Sequence, residues 1–341
     1  MHVLHFTDLF TDGDFDDYFD LAGIYALDRL ESAAIVLDGD GDQQTGPRGG
    51  SAALRRFQRL IGRRDPFFIG LNRPLRSPDD PGSDSPPELQ RNVEKILDWL
   101  ETVPGPVTVT VVSSLRTLAA AYNRNPALLQ DKIERVLVVA GDAAVSYQEW
   151  NVALDASAYR RILSSPLPVW QVPCFECGLW SSGPHSAYFT ARHSELFERT
   201  DDALFRWYIY RFYQQTDPYE TYRWTPAEQA DFLAATRNLW SVPFFTILDG
   251  SYPDLLQQFD RSTGRSLNDI FTFEPGPVRY RAGERIVTVP DRLIPQLRLP
   301  EPDSYPSFGK FIIRHNFARI RRKINAQEEF FTSQDGLPPA E

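Results

Sequence analysis

Short apolar runs separated by helix-length segments constrain this chain more than any single motif. Val3–Phe6, Ala33–Leu37, Phe67–Gly70, Val107–Val112 (VTVTVV), Arg135–Ala140 and Pro168–Val172 each have the length of a buried strand. Helical spacing of apolar residues fills the gaps between them: Asp16 to about Leu30, Gly50–Ile61 (with Ala53, Leu54, Phe57, Leu60 and Ile61 on one face), Leu89–Leu100, Ser114–Tyr122 and Ala156–Ile162. Buried strands alternating with helices specify βαβ units. The pattern therefore predicts an α/β fold with a mostly parallel central sheet flanked by helices, of Rossmann-like type. After Cys174 the alternation weakens. Segments 195–215 and 225–248 read as helices and define a helical subregion after about residue 180. Residues 271–300 read as short strands broken by prolines, and Phe311–Gln327 as a basic amphipathic helix. With no internal repeat, 341 residues at 42% hydrophobic content suit one α/β domain over 1–330, followed by a polar tail at 331–341.

Charge and cysteine usage exclude several classes. A balance of 36 basic against 46 acidic residues, net −10, argues against nonspecific binding to nucleic acid or anionic membranes. Two cysteines make no disulfide scaffold. No apolar run approaches the ~20 residues that span a bilayer, and Met1 is followed almost at once by a strand rather than by a basic and apolar leader. A cytoplasmic protein is expected, with a small molecule as its partner; a homo-oligomer is compatible with the chain.

Ligands of open α/β sheets bind beyond the carboxyl ends of the strands, so the residues just after each strand carry the chemistry. After the first strand, Asp8, Asp12, Asp14, Asp16 and Asp17 place five carboxylates within ten residues. Like charges at this density raise one another's pKa values unless a cation neutralises them. Hard cations such as Ca²⁺ and Mg²⁺ take oxygen ligands. After the second strand comes Asp38-Gly39-Asp40-Gly41-Asp42-Gln43-Gln44. Ser113 and Ser114 follow VTVTVV, Gly141-Asp142 follows the next strand, and Glu149-Trp150-Asn151 precedes a helix. Singly, each would be an N-cap, an Asx turn or a solvated loop. Their joint position at strand ends points to a site for a metal and a polyhydroxylated ligand.

These same residues resemble the nucleoside hydrolase family. The first loop is similar to the family signature, in which a strand ends in Asp and a turn delivers an Asp-Asp pair to Ca²⁺. Residues 105–143 resemble the family's strand, helix start, proline turn and second strand. Glu149-Trp150-Asn151 with Asp155-Ala156 resembles the element whose Glu and Asn hold the sugar's hydroxymethyl end. Pro168–Pro173 fits the strand that follows. The likeness is detailed over 1–180 and holds in outline beyond.

What the resemblance implies is Ca²⁺-dependent hydrolysis of the N-glycosidic bond of a ribonucleoside or related N-riboside, with Ca²⁺ expected over Mg²⁺. In that mechanism a metal-bound water loses its proton to an Asp of the first loop and attacks the anomeric carbon. Asp16 and Asp17 match the pair that binds the metal and the 2′- and 3′-hydroxyls. The base, also a metal ligand in its Asp12 form, is Asp8 by its place at the strand end or Asp12 by its spacing to the pair. Val112 falls where a backbone carbonyl meets the metal. The turn holding Asp40 and Gln43 falls where the family has a ribose-binding Asn. The family's late His-Asp pair is matched best by Trp240 and Ser241, so Ser241 offers a neutral oxygen to the metal and Trp240 a ring to the base or aglycone. No histidine has a matching context, although His185 lies in a loop that reaches toward the site.

Three functions follow. One is an N-ribosyl hydrolase. The second is a protein of the same fold that binds a ribosyl or sugar ligand without turnover, because the late His-Asp is replaced. The third, a metal-dependent phosphohydrolase, lacks a phosphate-cradling glycine loop followed by Lys and Ser or Thr. The pair Cys174 and Cys177 has no partner pair for a four-thiolate zinc site and reads as two thiols at the site's edge. The basic helix reads as a solvated face or a contact to the acidic body.

Overall fold

A computed structural model describes residues 1–9, 15–38, 49–215 and 222–333. Among these residues ten strands are formed: β1 His2–Thr7, β2 Ser32–Leu37, β3 Phe67–Ile69, β4 Val107–Val111, β5 Ile133–Val139, β6 Val169–Val172, β7 Phe189–Arg192, β8 Thr236–Leu239, β9 Thr272–Ala282 and β10 Arg285–Arg298. The first six form a parallel sheet in the order β3-β2-β1-β4-β5-β6, and the antiparallel β10–β9 pair extends it beyond β6. This is the mostly parallel α/β sheet that the alternation predicts. Its central strands are buried almost along their length because both faces are covered, whereas the β9–β10 edge carries exposed residues. Val3, Ile35 and Leu37 enter the core on one face, while Leu4, Phe6, Ala34 and Val36 enter the core on the other.

Strand order reverses between β1 and β4, which pair side by side although a hundred residues apart in sequence. At such a switch point α/β folds bind ligands in the crevice outside the carboxyl ends of the strands. Asp8 follows β1 and Val112 follows β4 at this point. Val112 still donates its N–H to the Phe6 carbonyl (2.9 Å), which fixes the crevice's floor.

Every residue of the helix Asp17–Ala26 is buried, because two later segments cover it. The helix Tyr305–Ser333 packs along it, and the 3-10 turn Val242–Ile247 packs against both. Gly23 permits the second contact: a Cβ there would lie 2.9 Å from the Phe245 ring. From the long terminal helix, Arg319 and Lys323 donate to the Ala26 and Tyr25 carbonyls (2.9 and 2.6 Å) at the carboxyl end of the buried helix. Arg321 pairs with Asp202, and Lys310 with Glu195. The basic helix is thus tied to the acidic body, and its cations meet the negative end of a helix dipole.

The later half departs from the sequence reading in four places. Segment 195–215 contains two helices, His193–Leu196 and Ala203–Phe212, separated by a polar turn. Segment 225–248 holds only the helix Pro226–Ala234 before it turns into β8 and the 3-10 turn. Residues 271–300 form two long strands, since the antiparallel partner tolerates prolines at Pro275, Pro277 and Pro295 beside a register shift. The terminal helix also starts earlier, at Tyr305, and runs to Ser333, into the segment read as a tail; residues 334–341 lie outside the described residues. No helix among the described residues is long and apolar enough to cross a membrane.

Candidate active site

Asp17 anchors the first loop. Its Oδ2 accepts from the Thr7 hydroxyl (2.5 Å) and from the backbone N–H groups of Asp8 and Leu9 (2.9 and 3.0 Å). Bringing both N–H groups onto one carboxylate forces Leu9 to a φ of 43°, a left-handed conformation that a leucine seldom takes. Behind the loop, the Tyr18 hydroxyl donates to the Leu9 carbonyl (3.3 Å) and accepts from fully buried Arg211 (3.0 Å). A guanidinium therefore backs the carboxylates from the protein side.

Carboxylate oxygens of Asp16, Asp17 and Asp20 lie within 4.8 Å of one another. Asp16 precedes the buried helix, and the others sit one turn apart along it, so all three meet on one face. Asp20 is 1% exposed and accepts a short hydrogen bond from the Ser241 hydroxyl. Sequence reading misses Asp20. Its signal is a lone carboxylate inside an otherwise apolar helix, three residues after the Asp16-Asp17 pair's second member.

A cavity of about 400 Å³ opens over this cluster at the β1–β4 crevice. Asp8, Asp16, Asp17 and Ser241 form its acidic wall. Val112, Glu149 and Asn151 form its floor, and Phe175, Trp180 and Trp240 form the far wall. Asp8, Asp16, Asp17, Val112, Glu149, Asn151, Trp240 and Ser241, all selected from sequence, thus line one cavity, joined there by Phe175 and Trp180, which sequence does not single out. Asp12, Asp40 and Gln43 lie outside the described residues. His185 does not line the cavity; it is exposed and pairs with Glu176 (3.1 Å).

Two floor residues are also bonded within the protein, and Glu149 takes the N-cap role that sequence offers for it singly. Glu149 is the N-cap of the short helix Trp150–Leu154: its carboxylate accepts from the N–H groups of Asn151 (2.9 Å), Gly141 (3.0 Å) and Val152 (3.2 Å). Burial pushes its pKa up, against the pull of those bonds. Glu149 thereby clamps the β5 loop to the Asn151 backbone. Asn151 donates its amide N–H to the Val112 carbonyl (3.3 Å), and its buried Oδ1 has no partner among the described residues. A buried amide oxygen without a donor is costly in a dry site, and this one borders the cavity.

The far wall is an aromatic cluster. Ring centroids separate Phe175 from Trp180 and Tyr188 by 5.6 Å each, Trp240 from Tyr188 by 5.7 Å, and Trp240 from Phe175 by 5.9 Å. Trp240 comes to it directly from β8, which β7 holds in register. Its backbone carbonyl accepts from the Tyr305 hydroxyl (3.0 Å). Cys177 and Trp180 in the loop after β6, and Val145 in the loop after β5, also have positive φ. Buried Cys174 lines the cavity while Cys177 is exposed, so the two thiols have different surroundings.

A crevice at the switch point of a parallel sheet, with clustered carboxylates on one side and aromatic rings on the other, defines an α/β protein with a ligand-sized polar and aromatic site. The family model for inosine-uridine preferring nucleoside hydrolases matches residues 9–250. The chain belongs to that family. No curated protein matches it in sequence. Among solved structures it is similar to a purine-preferring ribonucleoside hydrolase from Gardnerella vaginalis (TM-score 0.57, 13% identity, covering 94% of this chain and 100% of that one). It is also similar to the plant nucleoside hydrolase PpNRh1 (0.56, 12%, 92% and 98%). A third is the type III effector protein XopQ, complexed with adenosine diphosphate ribose (0.51, 16%, 93% and 94%). At these identities the structural likenesses establish the shared fold.

Proposed function

We propose that this chain is a Ca²⁺-dependent hydrolase of the N-glycosidic bond of ribosides. The observation that carries this reading is the meeting of Asp16, Asp17 and Asp20 beside Asp8 at the switch-point cavity. Oxygens within 4.8 Å of one another can share one Ca²⁺, whose opposed ligands stand about 5 Å apart. The Val112 carbonyl and the partnerless Asn151 Oδ1 add neutral oxygens at the same place. Such a mixed set suits Ca²⁺, which takes 6–8 oxygens in flexible geometry. When bound, the ion supplies Lewis-acid polarisation of water and of the sugar hydroxyls.

The chain's own groups do the rest. Asp17 holds the loop with one oxygen, leaving the other directed by that anchorage. Asp8, on the cavity wall at the end of β1, accepts the proton of the attacking water; Asp12 is the competing assignment. Asp16 and Asp17 bind the vicinal hydroxyls, and Asn151 orients the hydroxymethyl end. As the C1′–N bond breaks, positive charge develops on the sugar ring, and the surrounding carboxylates stabilise it. Rings of the far wall exclude water and stack on the leaving group.

One observation favours the second reading, a binder without turnover. Ser241 spends its hydroxyl proton on Asp20, and no histidine lines the cavity among the described residues. A panel of purine and pyrimidine ribosides, assayed with and without chelator, tests both. Base release that chelator abolishes and Ca²⁺ restores supports the hydrolase, and Asp8→Ala and Asp12→Ala made separately identify the base. Ribose binding without base release, weakened by Asp17→Ala, supports the binder.

A further inference from the structure

We propose that the preferred ribosides carry a cationic aromatic aglycone, an N-ribosylpyridinium, rather than a neutral purine or pyrimidine. This rests on the riboside reading of the cavity and names the substrate class within it. Three features of the site converge.

The first is the aromatic wall. Phe175, Trp180 and Trp240 face the cavity, and Tyr188 packs behind them with all centroids within about 6 Å. Phe175 stands edge-to-face with Trp180 and Trp240, which tilt 39° to each other, and an indole face carries a negative quadrupole that attracts a delocalised cation.

The second is the cavity's charge. Asp8, Asp16, Asp17 and Glu149 line it, and no Lys, Arg or His does so among the described residues. One divalent ion leaves that set electronegative even with Glu149 neutral. Arg211 lies behind the loop, where it donates to the Tyr18 hydroxyl and sits over the Tyr18 ring.

The third is that no imidazole lines the cavity among the described residues. His5 and His193 are fully buried, with Nδ1 on the Thr110 hydroxyl and the Phe232 carbonyl respectively. His185 pairs with Glu176 outside the cavity. His315 belongs to the terminal helix and is part of no cavity wall. A neutral purine leaves well only when protonated on its ring. A pyridinium needs no such help. Water oxygen bonds to C1′, the C1′–N bond breaks, and its electron pair returns to the ring nitrogen, giving neutral pyridine. The water proton passes to the carboxylate base and then to solvent, so each turnover releases ribose, a pyridine and one H⁺.

Two measurements on the full chain with Ca²⁺ test this. In the first, tryptophan fluorescence follows titration with 1-methyl-3-carbamoylpyridinium and with neutral 3-carbamoylpyridine, which have no glycosidic bond to cleave. The cation should bind about tenfold more tightly or better. Trp240→Ala, or Trp180→Ala at a half-exposed position that the fold does not require, should remove most of that preference. Equal or tighter binding of the neutral compound overturns the proposal. In the second, the 3-carbamoylpyridinium riboside competes with inosine and uridine, with proton release recorded alongside base release. The expected result is a kcat/KM at least about tenfold higher for the pyridinium riboside. Cleavage led by inosine or uridine overturns the aglycone assignment and leaves the hydrolase reading intact. Cation-selective binding with no riboside cleaved overturns the hydrolase reading and leaves the aglycone assignment intact.

Discussion

The two walls of the cavity are built by opposite means. The acidic wall comes from ten consecutive buried residues of one helix and the loop before it, fastened by Thr7, two backbone N–H groups, Ser241 and a guanidinium behind. The aromatic wall is assembled from distant pieces, the loop after β6 and the turn after β8, and is partly open, with Trp180 52% exposed. Rigid, hydrogen-bonded groups suit a reacting centre, where small displacements are expensive. Apolar rings on loops can exchange one ligand for another. On the proposed function the walls divide reaction from selection, and substitutions on each should fail differently.

Asp17→Ala should give the largest effect. It removes three hydrogen bonds and a carboxylate together and releases the strained Leu9 turn. Riboside hydrolysis should fall by about a thousandfold or more, in line with losing a metal ligand and its charge. Trp180→Phe should change KM a few-fold with kcat nearly constant, as expected for uniform binding. Steady-state kinetics on the pair check this, and equal losses in kcat would erase the division between the walls.

Acid should act next, through two buried histidines. His5 lies on β1, and His193 follows β7 and packs against Phe15 and Phe19 on the acidic side. Burial lowers each to about 3 from an ordinary 6.5. Both are neutral when folded and take up protons when unfolded. Stability is therefore full above about pH 6.5 and falls as pH drops from there toward 3, by about 1 kcal/mol per pH unit for each histidine. Denaturant melts between pH 7 and 4 measure the slope. His5→Gln and His193→Gln should each flatten it by one proton, and a slope unchanged in both would show that the imidazoles are not buried neutral.

Much of this arrangement is legible in sequence, for a reason the strands make plain. β1, β2, β4 and β5 are buried on both faces, so their composition alone betrays them. β7 and β8 have only four residues each, one alternating buried with exposed and the other set in a stretch of helical apolar spacing, and neither periodicity reveals them. The same limit hides the aromatic wall: Phe175, Trp180 and Tyr188 read as an irregular loop until β8 brings Trp240 against them. Asp20 is hidden by its neighbours. A polar residue between Phe19 and Leu21 looks like the solvent face of an amphipathic helix, whereas this helix has no solvent face. Glu149 and Asn151 are legible as residues, but the capping bonds of Glu149 appear only in three dimensions.

Asp20→Asn tests whether the hidden carboxylate belongs to the reacting centre. It keeps the shape and the acceptor for Ser241 but removes a charge. Calcium affinity should fall by about ten- to a hundredfold, with kcat recovered at saturating Ca²⁺. Isothermal titration with Ca²⁺ reads this directly. An unchanged affinity would make Asp20 a structural carboxylate and leave Asp16 and Asp17 as the cluster's working members.

Ser241→Ala should give the smallest effect, and its size carries the sharpest information about the boundary between the walls. Ser241 adjoins Trp240, yet its hydroxyl serves Asp20 on the acidic side. If it only orients Asp20, losing one hydrogen bond to a charged group should weaken Ca²⁺ binding by about tenfold, or roughly 1.5 kcal/mol. The preference among ribosides should stay fixed, because no ring has moved. If instead Ser241 is the pin that sets Trp240, riboside selectivity will shift while Ca²⁺ affinity holds. Measuring both constants on this one variant assigns the residue to a wall, because the two roles predict opposite pairs of results.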